Sequence, residues 1–333
     1  DRSTALSQYV VQEAIKNANI ETKGQAGVIL GTGFGVTNLT DELYKTTYIN
    51  EKKLPPFTIP ACMENASASK IAMRFGLSSY NSTLFTACSA GVNAIGSSYR
   101  LIRDGYEKRM IAVGVDAPLS PVMLEAWSSL RVISVKDCPE QACKPFSEDR
   151  SGLVIGEGAA CLVLEEKEHA IKRGAKIYGE IAGYASNCDA SHLTRPNVEV
   201  QAKAIQLAVK SAKIKPSQID LISAHGTATK VNDFYETQAL KKALGEQVVS
   251  KIPINALKSQ LGHSIGASGA IETIAALMMM EKKMILPTIN YVPDKDCDLN
   301  IIGNKAQQCD RIQYALKTSF GFGGNNAVLV LKK

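Results

Sequence analysis

Short apolar runs alternate with longer amphipathic segments along the chain. The runs have the length of buried strands, and apolar residues between them recur every three or four positions, which indicates helices. The pattern therefore predicts an α/β fold. The predicted strands are AGVILG (26–31), STLFTA (82–87), MIAVGVDA (110–117), ACLVLEE (160–166), KIYGEIAGYA (176–185), IDLISAHG (219–226), KIPINAL (251–257) and NAVLVLKK (326–333).

The strand 82–87 leads directly into FTACSAG, residues 85–91. From Ser89 the apolar residues follow helical spacing as far as Ile102. Cys88 therefore lies at a strand-to-helix turn, where unpaired backbone amides stabilise a thiolate. Two interpretations are open for this turn alone: a nucleophile, or a buried cysteine that packs as a small apolar residue.

The chain is divided into two similar halves. GEGAACLVLEE (156–166) ends the first half as FGGNNAVLVLKK (322–333) ends the second, each with a glycine turn before a strand. FTACSAG precedes a helix rich in small residues, as does SQLGHSIGASGAIETIAAL (259–277). Cys88 and His263 thus occupy equivalent places. If the halves pack about a pseudo-twofold axis, both residues meet at the carboxyl ends of the strands.

Two further segments place polar side chains beside predicted strand ends. AHGTATKVND (224–233) contains His225, and NALKSQLGHSIGASGAIE (255–272) contains Lys258 and His263. A single histidine in such a place is more often a hydrogen-bonded structural residue than a catalyst. A cysteine and two histidines together, each at a strand end or helix start, favour a site for nucleophilic chemistry.

Composition narrows the class of protein. Of 333 residues, 45% are hydrophobic and 21% are charged, which is typical of a globular protein with a sizeable core. No apolar run approaches the roughly 20 residues of a membrane span, and no signal peptide is visible. The eight cysteines form no CxxC pair and share no zinc-type spacing with the four histidines. We therefore expect a reduced, cytoplasmic protein without a metal site or a membrane span.

The charge pattern bears on partners and cofactors. A net charge of +6 permits an acidic partner, but aromatic residues are not interleaved with the lysines, so a nucleic-acid surface is not predicted. GTGFG (31–35) has the glycines of a dinucleotide loop. No acidic residue closes a second strand about 20 residues further on, however, so we expect no cofactor there.

Four motifs, in their order and spacing, resemble those of the β-ketoacyl-acyl-carrier-protein synthases, the elongating condensing enzymes of fatty acid and polyketide synthesis. The motifs are TACSAG, HGTAT followed by Asp233, Lys-x4-His-x8-Glu ending at Glu272, and GFGGNN, with KPFSEDRSGLVIGEGA (144–159) matching a further stretch. The likeness runs over residues 6–333. It implies a thiolase-like five-layer αβαβα fold with two pseudo-duplicated halves, 1–170 with the cysteine and 171–333 with both histidines.

Family members carry an additional strand, loop and helix that would precede Asp1. The resemblance therefore predicts that the first sheet lacks one strand in this chain.

The resemblance also implies a role for each candidate site residue. Cys88 holds an acyl group, while His225 and His263 donate hydrogen bonds to the enolate that forms as carbon dioxide leaves. Lys258 pairs with Glu272 in the site. An ordinary structural ion pair would explain the presence of these two residues equally well. The other implied roles are support of the polar network by Asp233, an oxyanion hole from the amides of Cys88 and Phe322 with Phe322 as a gate, pantetheine binding by Thr227 and Thr229, an acyl pocket lined by Phe34 and Trp127, and carrier binding by Lys52, Lys53 and Arg131.

Several of these roles have plainer alternatives. Core packing would also explain Phe34 and Trp127, and solvated surface charge would explain the carrier-binding residues. If the two aromatic residues do face the pocket, their bulk predicts a preference for short or planar, unsaturated acyl groups.

The implied partner is an acyl carrier protein that presents substrates on phosphopantetheine, and no other cofactor is implied. The implied assembly is a homodimer through strand 82–87, with a heterodimer as the alternative. Relatives with other functions fit less well. A degradative thiolase needs a second cysteine in the C-terminal glycine loop, and initiating synthases have asparagine where His263 stands. The sequence thus predicts an acyltransferase, and a scaffold subunit of a heterodimer is the alternative function.

Overall fold

The computed structural model describes residues 1–24 and 26–333. The strands are β1 (Gly27–Thr32), β2 (Asn81–Phe85), β3 (Arg109–Asp116), β4 (Gly158–Glu165), β5 (Glu180–Cys188), β6 (Leu221–Ser223), β7 (Ile254–Asn255), β8 (Met284–Ile285), β9 (Gln307–Gln308), β10 (Tyr314–Gly321) and β11 (Asn325–Lys332). The α-helices are α1 (Arg2–Ala18), α2 (Thr37–Tyr44), α3 (Thr58–Cys62), α4 (Ala66–Phe75), α5 (Ala90–Arg103), α6 (Pro121–Ser129), α7 (Lys167–Lys172), α8 (Val198–Ser211), α9 (Lys230–Leu244), α10 (Glu246–Val249), α11 (Lys258–Leu261) and α12 (Ser268–Lys282).

Two sheets with the same topology carry the fold. The first has the order β4-β3-β1-β2, and the second has β11-β10-β6-β7 with β5 added beside β11. β3 and β4 pair antiparallel in the first sheet, as β10 and β11 do in the second. The remaining pairs shared by the two sheets are parallel: β1–β3 and β1–β2 in the first, β6–β10 and β6–β7 in the second. This repeat confirms the predicted α/β fold with two duplicated halves.

The layers follow from which faces the helices cover. α1 and α4 pack on the outer face of the first sheet, and α8 packs on the second, with α9 against α8 in the same hydrophobic cluster. α5 and α12 contact each other between the sheets. The arrangement is the five-layer αβαβα fold that the resemblance implies. Because parallel strands end at the same edge of each sheet, the starts of α5 and α12 lie near one another.

The two sheets differ at one edge. β11 pairs with β5 along its whole length, whereas β4 is the edge strand of the first sheet in the described part of the chain. Among the described strands, none pairs with β4 as β5 pairs with β11.

The sequence prediction missed β10, a central strand of the second sheet. Lys317 stands in the middle of its apolar run, where a buried strand ordinarily has no charge. The strands predicted over 219–226 and 251–257 are also too long, since β6 and β7 cover only parts of them. The residues after each strand instead form the loops of the site.

Candidate active site

Cys88 lies in a single 3₁₀ turn, Ala87–Ser89, between β2 and α5. Ala87 has a positive φ of 50°, a conformation that costs a residue other than glycine on the order of 1 kcal/mol or more. Gly321 approaches this turn closely, and a Cβ there would lie 2.9 Å from the carbonyl oxygen of Thr86. The strained turn and the neighbouring glycine hold Cys88 at the end of the strand, where it is only 6% exposed.

His263 is a close polar neighbour of the thiol. Its Nε2 lies 3.1 Å from Cys88 Sγ. The backbone N–H of Ile265 donates to His263 Nδ1 over 3.2 Å, so Nδ1 is an acceptor. In the neutral ring the proton is therefore on Nε2. His263 thus directs an N–H toward the sulfur or toward an oxygen bound beside it.

His225 lies across the cavity from His263, with ring centroids 5.4 Å apart and ring planes at 82°. Lys258 Nζ lies 3.4 Å from His225 Nδ1 and donates to the His225 carbonyl oxygen over 2.6 Å. An ammonium beside Nδ1 makes that nitrogen the acceptor and places the ring proton on Nε2. One ligand atom each of Cys88, His225 and His263 lie within 4.8 Å of one another.

The carboxylate of Glu272 holds two buried lysines. Its Oε1 lies 2.6 Å from Lys258 Nζ, and its Oε2 lies 2.7 Å from Lys317 Nζ. The structure thus brings Lys258 and Glu272 together, as the sequence predicts. Lys317 was missed because it lies on β10, a strand that the sequence prediction did not identify.

Asp233 supports the loop that follows His225. Its Oδ1 accepts the backbone N–H of Thr227 over 3.0 Å, and its Oδ2 accepts that of Phe146 over 2.7 Å. Burial raises the pKa of this carboxyl to about 6, although the Phe146 amide and Arg150 act in the opposite direction. Asp233 therefore lies in the polar network, where it accepts backbone N–H groups of two loops.

Glu236 is a supporting residue that sequence reasoning missed. It is fully buried and accepts the backbone N–H groups of His225 and Gly226, each over 2.8 Å. It also accepts the Thr318 hydroxyl over 2.7 Å. Its spacing of three residues from Asp233 on α9 places both carboxylates on one helix face, which is the signal that could have identified it.

Burial sets the protonation states of the three central side chains. It raises the pKa of the Cys88 thiol to about 12, while Lys258 and the amides of Cys88 and Phe322 lower it by less. Burial also holds the pKa of His225 and of His263 well below the ordinary value, and Lys258 adds to that effect. The resting site therefore contains a neutral thiol between two neutral imidazoles. The backbone amides lower the pKa of the thiol, as the helix start predicts, but desolvation outweighs them in the resting state.

A cavity of about 310 Å³ leads from Cys88 to the surface. Both histidines and Phe322 line its inner end. The other predicted residues on its wall are Thr227, Thr229, Trp127 and Arg131. Sequence reasoning missed the exposed Arg195 and Lys230, which also line it.

Some predicted site residues do not reach this cavity. Lys52 and Lys53 are exposed but are not part of its wall. Phe34 lies behind the wall, with its ring 6.1 Å from Trp127 in an edge-to-face contact. Trp127 in turn stacks on Phe322 at 6.0 Å. Phe34 therefore acts on the cavity through Trp127 rather than directly.

The glycine loop 31–35 does not provide a free phosphate site. The carboxylate of Asp116 accepts the backbone N–H groups of Gly33, Phe34 and Gly266, over 2.7, 3.0 and 2.6 Å. These are the amides that a dinucleotide phosphate would need. The loop instead joins the two halves of the molecule through Asp116.

Cys88, His225 and His263 have the spacing of metal ligands. The ammonium of Lys258 beside His225 disfavours a divalent cation at this place, because two like charges would share a buried site. The arrangement suits an anion or a developing oxyanion instead.

Family models match both halves of the chain. The model described as "Beta-ketoacyl synthase, N-terminal domain" matches residues 1–170, and "Beta-ketoacyl synthase, C-terminal domain" matches 178–292.

Curated proteins similar to this chain include two named 3-oxoacyl-[acyl-carrier-protein] synthase 2. The protein from Synechocystis sp. is 39% identical over 338 residues, covering 99% of this chain and 80% of that protein. The protein from Staphylococcus aureus (strain COL) is 37% identical over 341 residues, covering 100% and 82%.

Solved structures similar to this chain share its fold over its full length. One shows a type II polyketide acyl-carrier protein in complex with its ketosynthase bound to the hexaketide; it is 35% identical, with a TM-score of 0.92 and 85% of that chain covered. Another is the ishigamide ketosynthase/chain length factor, 31% identical with a TM-score of 0.93 and 82% covered. A third is a β-ketoacyl synthase from Burkholderia phymatum STM815, 32% identical with a TM-score of 0.93 and 82% covered.

Proposed function

This chain belongs to the β-ketoacyl synthase family, and we propose that it extends an acyl group held on Cys88 with a malonyl thioester carried by an acyl carrier protein. One observation carries this proposal: the Cys88 thiol and the rings of His225 and His263 meet at the inner end of one cavity. A nucleophile and two aligned N–H donors are what a decarboxylative condensation requires.

In the first half-reaction Cys88 takes the acyl group from its carrier. The sulfur attacks the thioester carbonyl, the carbon–sulfur bond to pantetheine breaks, and the departing pantetheine sulfur receives the proton that Cys88 releases. The amides of Cys88 and Phe322 already face the sulfur and would stabilise the intermediate oxyanion. Phe322 lines the cavity beside Cys88, which supports its proposed place as a gate.

In the second half-reaction a malonyl thioester occupies the same cavity. Its carboxylate leaves as carbon dioxide, and the electron pair passes into an enolate. The Nε2–H groups of His225 and His263 donate to the enolate oxygen. The enolate carbon attacks the Cys88 thioester, a carbon–carbon bond forms, and the Cys88 sulfur leaves and takes a proton from solvent. Neutral imidazoles suit this step because both can donate without adding charge.

An acidic carrier protein is the proposed partner at the cavity mouth. Arg131, Arg195 and Lys230 line the cavity and are exposed, so they form a basic rim around the path that pantetheine takes. Thr227 and Thr229 lie further in and would contact the pantetheine arm. Lys52 and Lys53 would belong to a wider carrier surface.

The proposed assembly is a dimer through β2. This strand ends the first sheet, so its outer edge has no strand beside it within the described chain, and Tyr80 and Phe85 around it are exposed. A second copy is the proposed occupant, and a related subunit is the alternative. Light scattering of the purified chain tests the choice, and an active monomer would contradict a dimer.

The proposed location is the cytoplasm. All eight cysteines are free, which suits a reducing compartment. Among the described helices, none has the length and apolar content to cross a bilayer.

Mass spectrometry after incubation with a mass-tagged acyl carrier substrate tests the proposed function. We expect the acyl mass on Cys88 and, after malonyl carrier is added, its release as a β-ketoacyl product. Cys161→Ala, in β4 and outside the cavity wall, is the matched control and should react normally. A wild-type chain that takes up no acyl mass from any carrier substrate would instead be a scaffold subunit.

A further inference from the structure

Lys317 is a buried lysine on β10 that is not among the predicted site residues. It is fully buried, and its Nζ lies 2.7 Å from Glu272 Oε2. The same ammonium donates to the Thr318 carbonyl oxygen and, more weakly, to those of Ser223 and Ala224 over 3.4 and 3.5 Å. Ser223 ends β6, and Ala224 follows it directly before His225. Lys317 therefore contacts both the carboxylate that binds Lys258 and the strand that carries His225.

Two lysines and two carboxylates lie around the two imidazoles, but only one of the carboxylates forms ion pairs with the lysines. α11 contributes Lys258, β10 contributes Lys317, and α12 contributes Glu272. The other titratable groups facing the pair are Glu236 on α9, which is bonded to backbone amides, and Cys88. Two lysines thus share one carboxylate, and a burial this complete is uncommon for a lysine without a specific use.

We propose that Lys317 is a positioning residue of the decarboxylation step: by holding one oxygen of Glu272, it fixes the other oxygen on Lys258 and so keeps Lys258 against Nδ1 and the carbonyl oxygen of His225. The step it serves rests on the proposed function.

Two consequences follow from this arrangement. First, Glu272 cannot draw Lys258 away from His225 by binding it with both oxygens, because Lys317 occupies the second. His225 then keeps its Nδ1 as an acceptor and its Nε2–H directed into the cavity. Second, the additional cation opposes protonation of either ring. Lys317 is one of the charges that lower the pKa of His225 and of His263, after burial and Lys258.

Histidine ring NMR tests the proposal without any substrate. The chain has four histidines, so ¹³Cε1-labelled histidine gives four ring signals to follow against pH, with His169 on α7 as an internal reference. Three variants are compared with the wild type. Lys317→Met removes the charge and the donors, Lys317→Gln removes the charge and keeps donors, and Lys332→Met removes a lysine from β11 whose ion pair with Glu180 is exposed.

In both Lys317 variants we expect the titration midpoints of His225 and His263 to move up by about one pH unit, while Lys332→Met leaves them in place. The turnover number for carbon dioxide release from malonyl carrier should fall about tenfold with an unchanged KM, since a displaced donor weakens only transition-state binding. Unchanged midpoints in both Lys317 variants would overturn the proposal. So would a turnover number for carbon dioxide release that Lys317→Met leaves unchanged, because the lysine would then hold nothing that this step needs.

If Lys317→Met does not fold, Lys317→Gln carries the test, since its amide can still reach the carbonyl oxygens. The histidine titrations use no substrate, so they can be read even if the chain condenses no acyl group. A failure of the proposed function and a failure of this proposal are therefore distinguishable.

Discussion

α5 and α12 occupy equivalent places in the two halves, yet they begin differently. β2 leads to α5 through a single 3₁₀ turn that carries Cys88. β7 leads first to α11, which begins at Lys258, and then through the loop with His263 to a second 3₁₀ turn, Ile265–Ala267, before α12. Both turns contain a residue with positive φ, Ala87 at 50° and Ile265 at 47°. The frame is therefore the same, and the second half has α11 inserted into it.

This insertion divides the chemistry between the halves. The first half presents a neutral thiol and the backbone amide of Cys88, with Asp116 as the nearby carboxylate, and the second half adds the amide of Phe322. The second half presents both imidazoles, Lys258 and the carboxylate that binds it. The first half is thus suited to hold an acyl group, and the second to stabilise the charge that decarboxylation creates. A duplicated fold has produced one site with two specialised sides.

Removal of the nucleophile should have the largest effect. Cys88→Ala should abolish condensation, because among the described residues no other cysteine lines the cavity. Product formation from acyl and malonyl carriers measures this directly, with Cys161→Ala as the control. Full condensing activity in Cys88→Ala would contradict the assignment of the first half.

Charge reversal at the cavity rim should have an intermediate effect. Arg131→Glu should raise the KM for carrier substrates about tenfold, because the rim meets an acidic partner, and the effect should fall at high salt. A small thioester mimic should be unaffected. Lys172→Glu, an exposed change on α7, is the control.

The double change Lys52→Glu with Lys53→Glu separates the rim from the wider surface. Because these lysines do not line the cavity, we expect a smaller rise in KM than for Arg131→Glu. An equal loss for carrier substrates and small mimics would argue against a carrier surface at either place.

The apolar wall of the first half should set chain length to a modest degree. Phe34→Ala removes the ring behind Trp127 and lets the wall relax, so kcat/KM for long saturated acyl carriers should rise a few-fold, since overpacking costs about 1–3 kcal/mol. Wild-type rates with carriers of increasing length are the reference. A wild type that accepts long saturated chains as readily as short ones would show that Phe34 does not limit the pocket.

The smallest expected effect is that of mild acid on the second half. Since the pKa of each imidazole is held well below its ordinary value, both rings remain neutral and able to accept at Nδ1 as the pH falls to 6.5. Carbon dioxide release should therefore stay within about twofold between pH 8 and pH 6.5. A titration midpoint at or above pH 6.5 would show that the imidazoles are not shielded.

The parts of the site that could be predicted are those in short local patterns. Cys88, His225 and Lys258 each lie beside a strand end within a recognisable motif, so their neighbourhood follows from the chain itself. Lys317 could not be predicted, because its partner Glu272 comes from another element and the lysine disrupts the apolar run of β10. The sequence predicted Phe34 on the cavity wall, but in the structure Trp127 lies between Phe34 and the cavity.

The resting state of Cys88 could not be predicted from the helix start either. Backbone amides do lower its pKa, as expected, but the extent of burial depends on the whole fold. The duplication was visible in the sequence because glycine turns followed by strands occur in both halves. The close correspondence of the two sheets was not visible, because the sequence prediction did not identify β10.

The division between the halves is tested most directly by measuring both half-reactions in His225→Ala. Acyl mass on Cys88 reports the first, and carbon dioxide release from malonyl carrier reports the second. His225 has no contact with the sulfur as close as that of His263, so we expect acylation within a few-fold of wild type while carbon dioxide release falls about 100-fold or more. If both half-reactions fall together, or if acylation alone is lost, the two sides of the site do not divide the chemistry as described.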